Sequence, residues 1–293
     1  VGWYSVIAPH HALLRELLID GFVQPLDPAR IPRLAEVDPR FLMPEWLEID
    51  GQRYAVPLVW GTCPAIYNAD LLPEPPASWL ELDTEFYTGK IGMHDDGLSH
   101  FYVWGRAVGA NDAANLTSEE FARTIDVLSR LKGERVRHFT PFIGDLTKEL
   151  ASGKVQISTT GWEGMLLLPE AEGVNLRIAR LAPGDFSWLQ TLAIAAEAPM
   201  LEAAHQFIDF MLSPEEQAGL ATRTMRGIVH PAAVPLIDEP VRALTDYANL
   251  DMVFTTSPML SFPPLAETAG GPTAYLQWVT AWDQIRSVDS MAA

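Results

Sequence analysis

The sequence is poor in cysteine, in basic side chains and in long apolar runs. Cys63 is the only cysteine in 293 residues, which excludes an intramolecular disulfide and a thiolate metal cluster. No apolar run reaches the roughly 18 residues that would predict a membrane-spanning helix. Lys and Arg number 20 against 38 Asp and Glu, a formal net charge of −18. This balance disfavours nucleic acid and anionic membranes as partners and attracts cations, although it also serves solubility.

Catalytic and cofactor motifs are missing as well. The sequence has no Gly-rich phosphate loop of the Walker or dinucleotide type and no Gly-x-Ser-x-Gly elbow. The consecutive triplet His94, Asp95 and Asp96 lacks the spacing of a metal-ligand set. We therefore predict no catalytic residue, no cofactor and no bound metal.

No secretory leader is visible at the start of the sequence. The chain opens on VGWYSVIA, which is typical of a strand already inside a fold. This opening indicates that a leader was removed or that the sequence is a fragment.

Short apolar strands alternate with amphipathic helices along the chain. His10–Asp20 has its leucines at helical spacing, and Thr117 with Glu120 forms a capping-box pattern at the start of a long helix. Tyr54–Trp60 predicts a buried strand that Gly61–Pro64 interrupts. Further elements are predicted at Ser78–Leu82, Lys90–His94, Ser99–Val108, Lys154–Thr159, Leu192–Ala195, Pro199–Leu212, from Ser213 onward, and at Leu276–Arg286. The alternation predicts an α/β protein with parallel or mixed sheets.

Three segments carry a resemblance to a known family. They are residues 76–96 (PASWLELDTEFYTGKIGMHDD), 153–162 (GKVQISTTGW) and 198–233, with weaker similarity over 6–27 and 54–68. In order and spacing they resemble the extracellular solute-binding proteins of ABC importers. The branch they are most similar to is the spermidine/putrescine-binding branch of the type II periplasmic binding proteins.

The resemblance implies a two-lobed α/β fold with a central ligand cleft. We expect a discontinuous first lobe of residues 1–61 plus 192–238 and a second lobe of residues 62–191 plus 239–293. Relatives begin with a further strand and helix, so the first lobe is expected to be incomplete at its front. The implied function is capture of a small solute by lobe closure and its delivery to a membrane permease. The implied protein is a periplasmic or other extracytoplasmic, membrane-associated monomer.

An amine-binding cleft needs carboxylates for the ammonium and aromatic faces for the alkyl chain. By the resemblance, Asp96 matches a polyamine-contacting aspartate, and Trp162 and Trp188 match ligand-stacking tryptophans. The alternatives are that Asp96 caps the helix near Ser99 and that both tryptophans are core residues. Asp95 is expected to be a helix cap or a solvated neighbour.

Several positions depart from the family pattern. Gln190 stands in place of a second aspartate and Ser99 in place of a glutamate, while Ala12 and Ile228 replace tyrosines. One remaining carboxylate suits a single ammonium group better than a polyamine, because an unpaired buried cation is costly.

Other residues leave the ligand class open. Glu163 could supply a replacement negative charge, although solvent exposure is expected for it. His10 and His11 occupy the loop where relatives hydrogen-bond the ligand. A neutral histidine there could accept from an amine, and a protonated one could pair with a ligand carboxylate. An amino-acid-like or opine-like solute is therefore the alternative to a polyamine.

Three other classes compete with a transport role. Thiamin-cleaving enzymes resemble this architecture and use a cleft cysteine, but nothing flanking Cys63 could activate its thiolate, so we expect a buried structural thiol. Iron carriers share the fold but need converging tyrosines or a His/carboxylate set. A sensor or docking role that uses the same closure is not separable from transport by sequence.

Overall fold

The computed structural model describes residues 3–288. Its strands are, in chain order, β1 Val6–Ile7, β2 Val23–Gln24, β3 Glu48–Ile49, β4 Gln52–Arg53, β5 Ala55–Thr62, β6 Ala65–Asn68, β7 Ile91–His94, β8 Val136–Thr140, β9 Ile157–Ser158, β10 Leu176–Ala179, β11 Ser187–Ala195 and β12 Gly227–Ile228. Its α-helices are α1 Leu14–Ile19, α2 Pro44–Leu47, α3 Gly97–Ala107, α4 Ser118–Glu134, α5 Ile143–Ala151, α6 Leu201–Met211, α7 Pro214–Thr224, α8 Glu239–Arg242, α9 Leu250–Thr256 and α10 Tyr275–Arg286. Short 3-10 helices fill many of the connections.

The chain forms two compact units, each discontinuous in sequence. The first unit contains the chain up to Gly61 together with Trp188–Leu250, and the second contains Thr62–Ser187 together with the chain from Asp251 onward. The lobe boundaries expected from the sequence, after residues 61, 191 and 238, remain a prediction about which segments move together.

The sheet of the first unit has the strand order β1-β11-β5-β12, with β2 also paired to β11. The pairs of β11 with β1 and β2 and of β12 with β5 are antiparallel. The buried amide of Gln217 in α7 bonds to β5 and to the residue that follows β12: its Nε2 donates to Leu58 O at 3.1 Å and its Oε1 accepts from Val229 N at 3.0 Å. A buried amide that satisfies both its donor and its acceptor fixes the helix on the sheet without an orphaned polar group.

The sheet of the second unit has the order β10-β6-β9-β7-β8. β7 runs parallel to both β8 and β9, whereas β6 is antiparallel to β9 and β10. The sheet is therefore mixed, and the carboxyl ends of β7 and β9 lie at the same edge.

The second unit contains two clusters of apolar side chains. Aromatic side chains of α3, α4 and α10 form one: Phe101 lies 5.3 Å from Trp278 and 5.1 Å from Phe121, measured between ring centroids. Aliphatic side chains form the other, which comprises Ile66, Leu146, Leu150, Val155, Met165, Ala171 and Leu176. Phe121 is the side chain that α4 contributes to the first of these clusters.

The α/β prediction with mixed sheets is confirmed, and so is the capping box. The side chain of Thr117 accepts from Glu120 N at 3.2 Å, and Glu120 Oε2 accepts from Thr117 N at 2.8 Å. The predicted break within 61–64 is shorter than expected, because β5 continues through Gly61 to Thr62. Sequence patterning missed β8, α5 and β10. α5 nevertheless carries a helix signal, with Ile143, Leu146 and Leu150 at helical spacing and Gly153 just beyond its end.

The polarity of the helices agrees with the absence of a spanning segment in the sequence. None of the helices within residues 3–288 has both the length and the apolar character needed to cross a bilayer.

Candidate functional site

Two loops of the second unit bring the predicted site residues to one edge of its sheet. Asp95 and Asp96 follow β7, and the segment leading to Trp162 follows β9. Ile91 pairs in parallel with Ile157, so both loops leave the sheet at the carboxyl ends of their strands. Open α/β sheets bind ligands at this edge.

Asp96 is the N-cap of α3. Its Oδ1 accepts from Ser99 N at 3.2 Å, and its Oδ2 accepts from the Ser99 hydroxyl. The alternative in which Asp96 caps the helix is therefore confirmed. The expectation that Asp95 is a cap or a solvated neighbour is wrong, because its side chain is 18% exposed and accepts from Trp282. Two accepted bonds leave free lone pairs on the carboxylate, so capping and ligand contact by Asp96 are compatible. Ligand contact by Asp96 and by Ser99 stays a prediction.

Asp95 is bound by the C-terminal helix. Trp282 Nε1 donates to its Oδ1 at 2.7 Å, and Arg286 Nη1 lies 3.8 Å from its Oδ2. A cavity of about 300 Å³ adjoins these groups. It is lined by Asp95, Asp96, Gly97, Leu98, Tyr275, Trp278, Val279, Trp282, Asp283 and Arg286. Sequence reasoning missed Trp282 because its partner lies 187 positions away.

His100 joins the two loops. Its Nδ1 lies 2.7 Å from Asp96 O, which can only accept, so Nδ1 carries the proton and Nε2 accepts from Thr159 Oγ1 at 2.7 Å. The ring stacks on Trp282 with centroids 5.1 Å apart. Burial lowers the pKa of His100 to about 4, against the opposing effect of Asp96, so the ring is neutral at neutral pH.

Trp162 lies half-buried against the aliphatic cluster. Its ring covers Gly164 so closely that a Cβ on that glycine would lie 2.2 Å from Cζ2. The position of the indole therefore depends on a glycine two residues later. The ligand-stacking role of Trp162 stays a prediction.

Glu163 is buried, with 7% of its surface exposed, so the expectation of solvent exposure is wrong. Its Oε1 accepts from Thr62 N at 3.0 Å and from the Thr62 hydroxyl. Burial raises the pKa of Glu163 to about 7, while the bonds from Thr62 and the charge of Arg180 oppose that rise. Sequence spacing gives no signal for this contact across 101 positions.

In the first unit, Trp188 lies against Gly61 and beside Arg226. A Cβ at Gly61 would lie 2.8 Å from Trp188 Cζ2, so only glycine permits this approach. The guanidinium carbon of Arg226 lies 5.1 Å from the indole centroid, within the range of a cation–π interaction. The sequence analysis did not identify Arg226.

His10, His11 and Gln190 lie together in the same unit. His11 is buried, and its Nδ1 lies 3.1 Å from Leu189 O and 3.2 Å from Leu189 N. Gln190 Nε2 donates to Ala8 O, and His10 Nδ1 accepts from Ala12 N at 3.2 Å. Burial and the neighbouring His11 lower the pKa of His10 to about 3. Ligand contact by these three residues stays a prediction.

Cys63 is partly exposed, which differs from the buried structural thiol expected. Desolvation raises the pKa of its thiol well above the ordinary value, and Asp96, Glu163 and Asp185 raise it further. A catalytic thiolate needs the opposite environment, with positive charge or a base nearby. Within residues 3–288 no group of three or more His, Cys, Asp or Glu side chains could hold a metal ion.

Comparison with known families places this chain. Residues 4–248 match the model of the family described as bacterial extracellular solute-binding protein. The chain belongs to this family, which confirms the resemblance read from the sequence and implies an extracytoplasmic location.

Individual relatives are named as polyamine-binding proteins. The chain is 26% identical over 212 residues to spermidine/putrescine-binding periplasmic protein 1 of Haemophilus influenzae, covering 72% of this chain and 57% of that protein. It is 25% identical to the putrescine-binding periplasmic protein PotF of Escherichia coli, and the match covers 82% of this chain and 68% of that protein. Among solved structures, the chain is similar to the spermidine/putrescine ABC transporter substrate-binding protein PotD from Streptococcus pneumoniae. The TM-score is 0.76 at 20% identity, and the match covers 97% of this chain and 82% of that one. The chain thus spans little more than half the length of the Haemophilus protein, and its fold is that of these binding proteins.

Proposed function

We propose that this chain is the substrate-binding protein of an ABC transporter. It captures a small amine-containing, polyamine-like solute by lobe closure and delivers it to a membrane permease. Membership of the extracellular solute-binding family supports the transport role, and the names of the relatives support an amine as the ligand. Ligand-induced closure is a shift of a hinge equilibrium toward the form that binds the ligand better.

The observation that carries this proposal is that the loops carrying a carboxylate and an indole leave the same edge of one sheet. Asp96 follows β7 and Trp162 follows β9, and His100 bonds to both loops. A carboxylate stabilises an ammonium group by about 1.5–3 kcal/mol, and an indole face adds roughly 0.5–2 kcal/mol. The proposed ligand contacts are Asp96, Ser99 and Trp162 in the second unit and Trp188, Gln190, His10 and His11 in the first.

Calorimetric titration with putrescine and spermidine tests the proposal. Asp96→Asn keeps an N-cap, since asparagine caps as well as aspartate, but removes the negative charge. We expect this variant to fold normally and to lose roughly tenfold or more in affinity, as loss of one charged partner predicts. Wild-type affinity in the variant would contradict the contact.

Glu119→Gln is the matched control for the charge change. Its side chain is 86% exposed and lies on α4 of the same unit. The variant removes one negative charge from a chain of −18 without touching the sheet edge. Equal losses in Asp96→Asn and Glu119→Gln would show that only the overall charge matters.

A second candidate is a ligand that bears a carboxylate, as in amino acids or opines. The guanidinium of Arg226 beside Trp188 favours it, because arginine binds carboxylates through paired hydrogen bonds. Titration with amino acids and opines tests it. Arg226→Gln would then weaken a carboxylate ligand and spare putrescine.

The proposal includes the partners and the compartment. The chain acts in the periplasm or at the outer face of a membrane, as a monomer, with an ABC permease as its partner. Stimulation of the ATPase activity of a reconstituted transporter by the liganded chain tests the partnership. Light scattering coupled to size exclusion tests the monomer.

A further inference from the structure

A connected set of polar side chains surrounds Glu163 in the second unit. Thr62 Oγ1 donates to Glu163 Oε1 and accepts from Arg180 Nη1 at 3.3 Å. Arg180 Nη1 also donates to Asp185 Oδ2 at 3.1 Å. Glu163, Thr62, Arg180 and Asp185 thus form one chain of hydrogen bonds, which we call the Glu163 network.

The network fastens the loop that carries Trp162 to the end of a strand. Thr62 is the last residue of β5, and its backbone N–H donates to Glu163 at 3.0 Å. Trp162 precedes Glu163 directly, and its indole covers the backbone of Gly164. The backbone after Trp162 is therefore held at two points. The side chain of Glu163 bonds to Thr62, and the indole of Trp162 packs on Gly164.

We propose that Glu163 is a positioning residue: its ionised carboxylate, held by Thr62, fixes the backbone that presents Trp162, and protonation loosens this attachment and weakens ligand capture. This inference rests on the proposed function for its effect on affinity, but the effect on Trp162 needs no ligand. Hydrogen bonds to an ionised acceptor are roughly twice as strong as those between neutral groups. Protonation also removes the attraction between the Glu163 charge and Arg180, which keeps its ion pair with Asp185.

The charges around Glu163 make protonation feasible near neutral pH. Burial raises the pKa of Glu163 to about 7, Arg180 opposes the rise, and Asp185 adds to it. Asp185 is itself buried, and burial raises its pKa against the opposing effects of Ser257 and Arg180. Cys63 also faces this group, with its thiol held neutral by a raised pKa. Arg180 opposes the rise at both carboxyl groups, and Arg106 of α3, which donates to the backbone oxygen of Asp185, opposes it at Asp185.

The direct test follows Trp162 without any ligand. The full chain is labelled with 5-fluorotryptophan, and the ¹⁹F resonance of Trp162 is assigned from Trp162→Phe. We expect this resonance to shift with pH, with a midpoint near 7, in the wild type and to be flat in Glu163→Gln. The resonance of Trp278, buried in the aromatic cluster of α3, α4 and α10, is the internal control and should not follow the same curve.

A second variant keeps Glu163 and changes its partner. Thr62→Val retains the backbone N–H and the shape of the side chain but removes the hydroxyl donor. Losing a bond to the ionised form raises the pKa of Glu163 further, so the midpoint of the Trp162 curve should move to higher pH. A Trp162 resonance that is flat in the wild type, or that titrates identically in Glu163→Gln or Thr62→Val, overturns the proposal.

The affinity for putrescine gives the functional readout. We expect it to fall roughly 3- to 10-fold from pH 8 to pH 6 in the wild type, since one linked proton changes affinity at most tenfold per pH unit. Glu163→Gln should bind at all pH values as the wild type does at pH 6. His94→Gln, beside Asp95, controls for histidine titration and should keep the pH dependence. If putrescine does not bind at all, the proposed ligand is wrong, whereas a missing Trp162 titration refutes the role of Glu163.

Discussion

His100 donates its Nδ1 proton to the backbone carbonyl of Asp96 across 2.7 Å. This bond fixes the tautomer of the ring, and the opposite nitrogen accepts from Thr159. One fully buried imidazole thereby joins the start of α3 to the end of β9. The predicted carboxylate and the predicted tryptophan loop are held in place by a residue that makes no proposed ligand contact.

Replacing His100 by leucine should destabilise the second unit. The change leaves the buried Thr159 hydroxyl without this partner, which costs roughly 1–3 kcal/mol, while Asp96 O keeps the backbone N–H of residue 100. Urea unfolding at neutral pH measures the loss. Thr159→Val, which removes the hydroxyl, should cost less, and a Leu variant as stable as the wild type would contradict the bridging role.

The buried imidazole of His100 should also make the stability of the fold decrease at acid pH. The pKa of His100 is about 4 in the fold against 6.5 for the free side chain, because burial disfavours the charged form. Between pH 4 and 6.5 the imidazole is protonated in the unfolded state but stays neutral in the folded state. The free energy of unfolding therefore falls as the pH decreases from 6.5 toward 4. His10 acts in the same direction. Unfolding curves at several pH values should show a smaller slope in His100→Gln, and an unchanged slope would contradict this assignment.

Glu163 should have the opposite effect on stability. Its pKa rises from 4.5 to about 7 on folding, so the folded state binds more protons between these values. Stability contributed by Glu163 is present below pH 4.5 and is lost as pH rises to 7, an effect of about 3 kcal/mol at most. Glu163→Gln should therefore equal or exceed wild-type stability at pH 8 while losing the pH response of Trp162. A large loss of stability at pH 8 would contradict this account.

Gly164→Ala should displace Trp162. The added Cβ would lie 2.2 Å from Cζ2 of the ring, closer than packed atoms allow, so the indole must move. The ¹⁹F resonance of Trp162 and the affinity for putrescine measure the displacement. Gly144→Ala in α5 is the matched control, because nothing lies within 4 Å of its new Cβ, and it should be neutral or stabilise by up to about 1 kcal/mol.

The elements with strong local signals were predictable from the sequence. The capping box at Thr117, the helix start at Ser213-Pro214 and the buried strand predicted over Tyr54–Trp60 are coded by residues a few positions apart, although β5 runs on to Thr62. β8 and β10 were not, because short strands depend on their neighbours in the sheet more than on a local pattern. α5 was missed although Ile143, Leu146 and Leu150 are spaced as in a helix and Gly153 follows its end.

The candidate site was predictable only in part. Asp96 and Trp162 follow strands whose carboxyl ends are readable from the sequence. The contacts that hold them are not readable: Trp282 with Asp95 and Thr62 with Glu163 join residues 187 and 101 positions apart. The burial of Glu163 was not predictable in this way, because the residue before it, Trp162, is itself only half-buried.

The central claim is that this chain binds an amine through an indole. Calorimetric titration of putrescine into the wild type, Trp162→Ala, Trp188→Ala and the exposed control Trp3→Ala, whose ring is 88% accessible, tests it most directly. We predict binding by the wild type and Trp3→Ala, and roughly a 2- to 30-fold loss in each of the other two variants, as a cation–π contact of about 0.5–2 kcal/mol implies. Equal affinity in all four proteins, or no binding of putrescine by the wild type, would contradict the account.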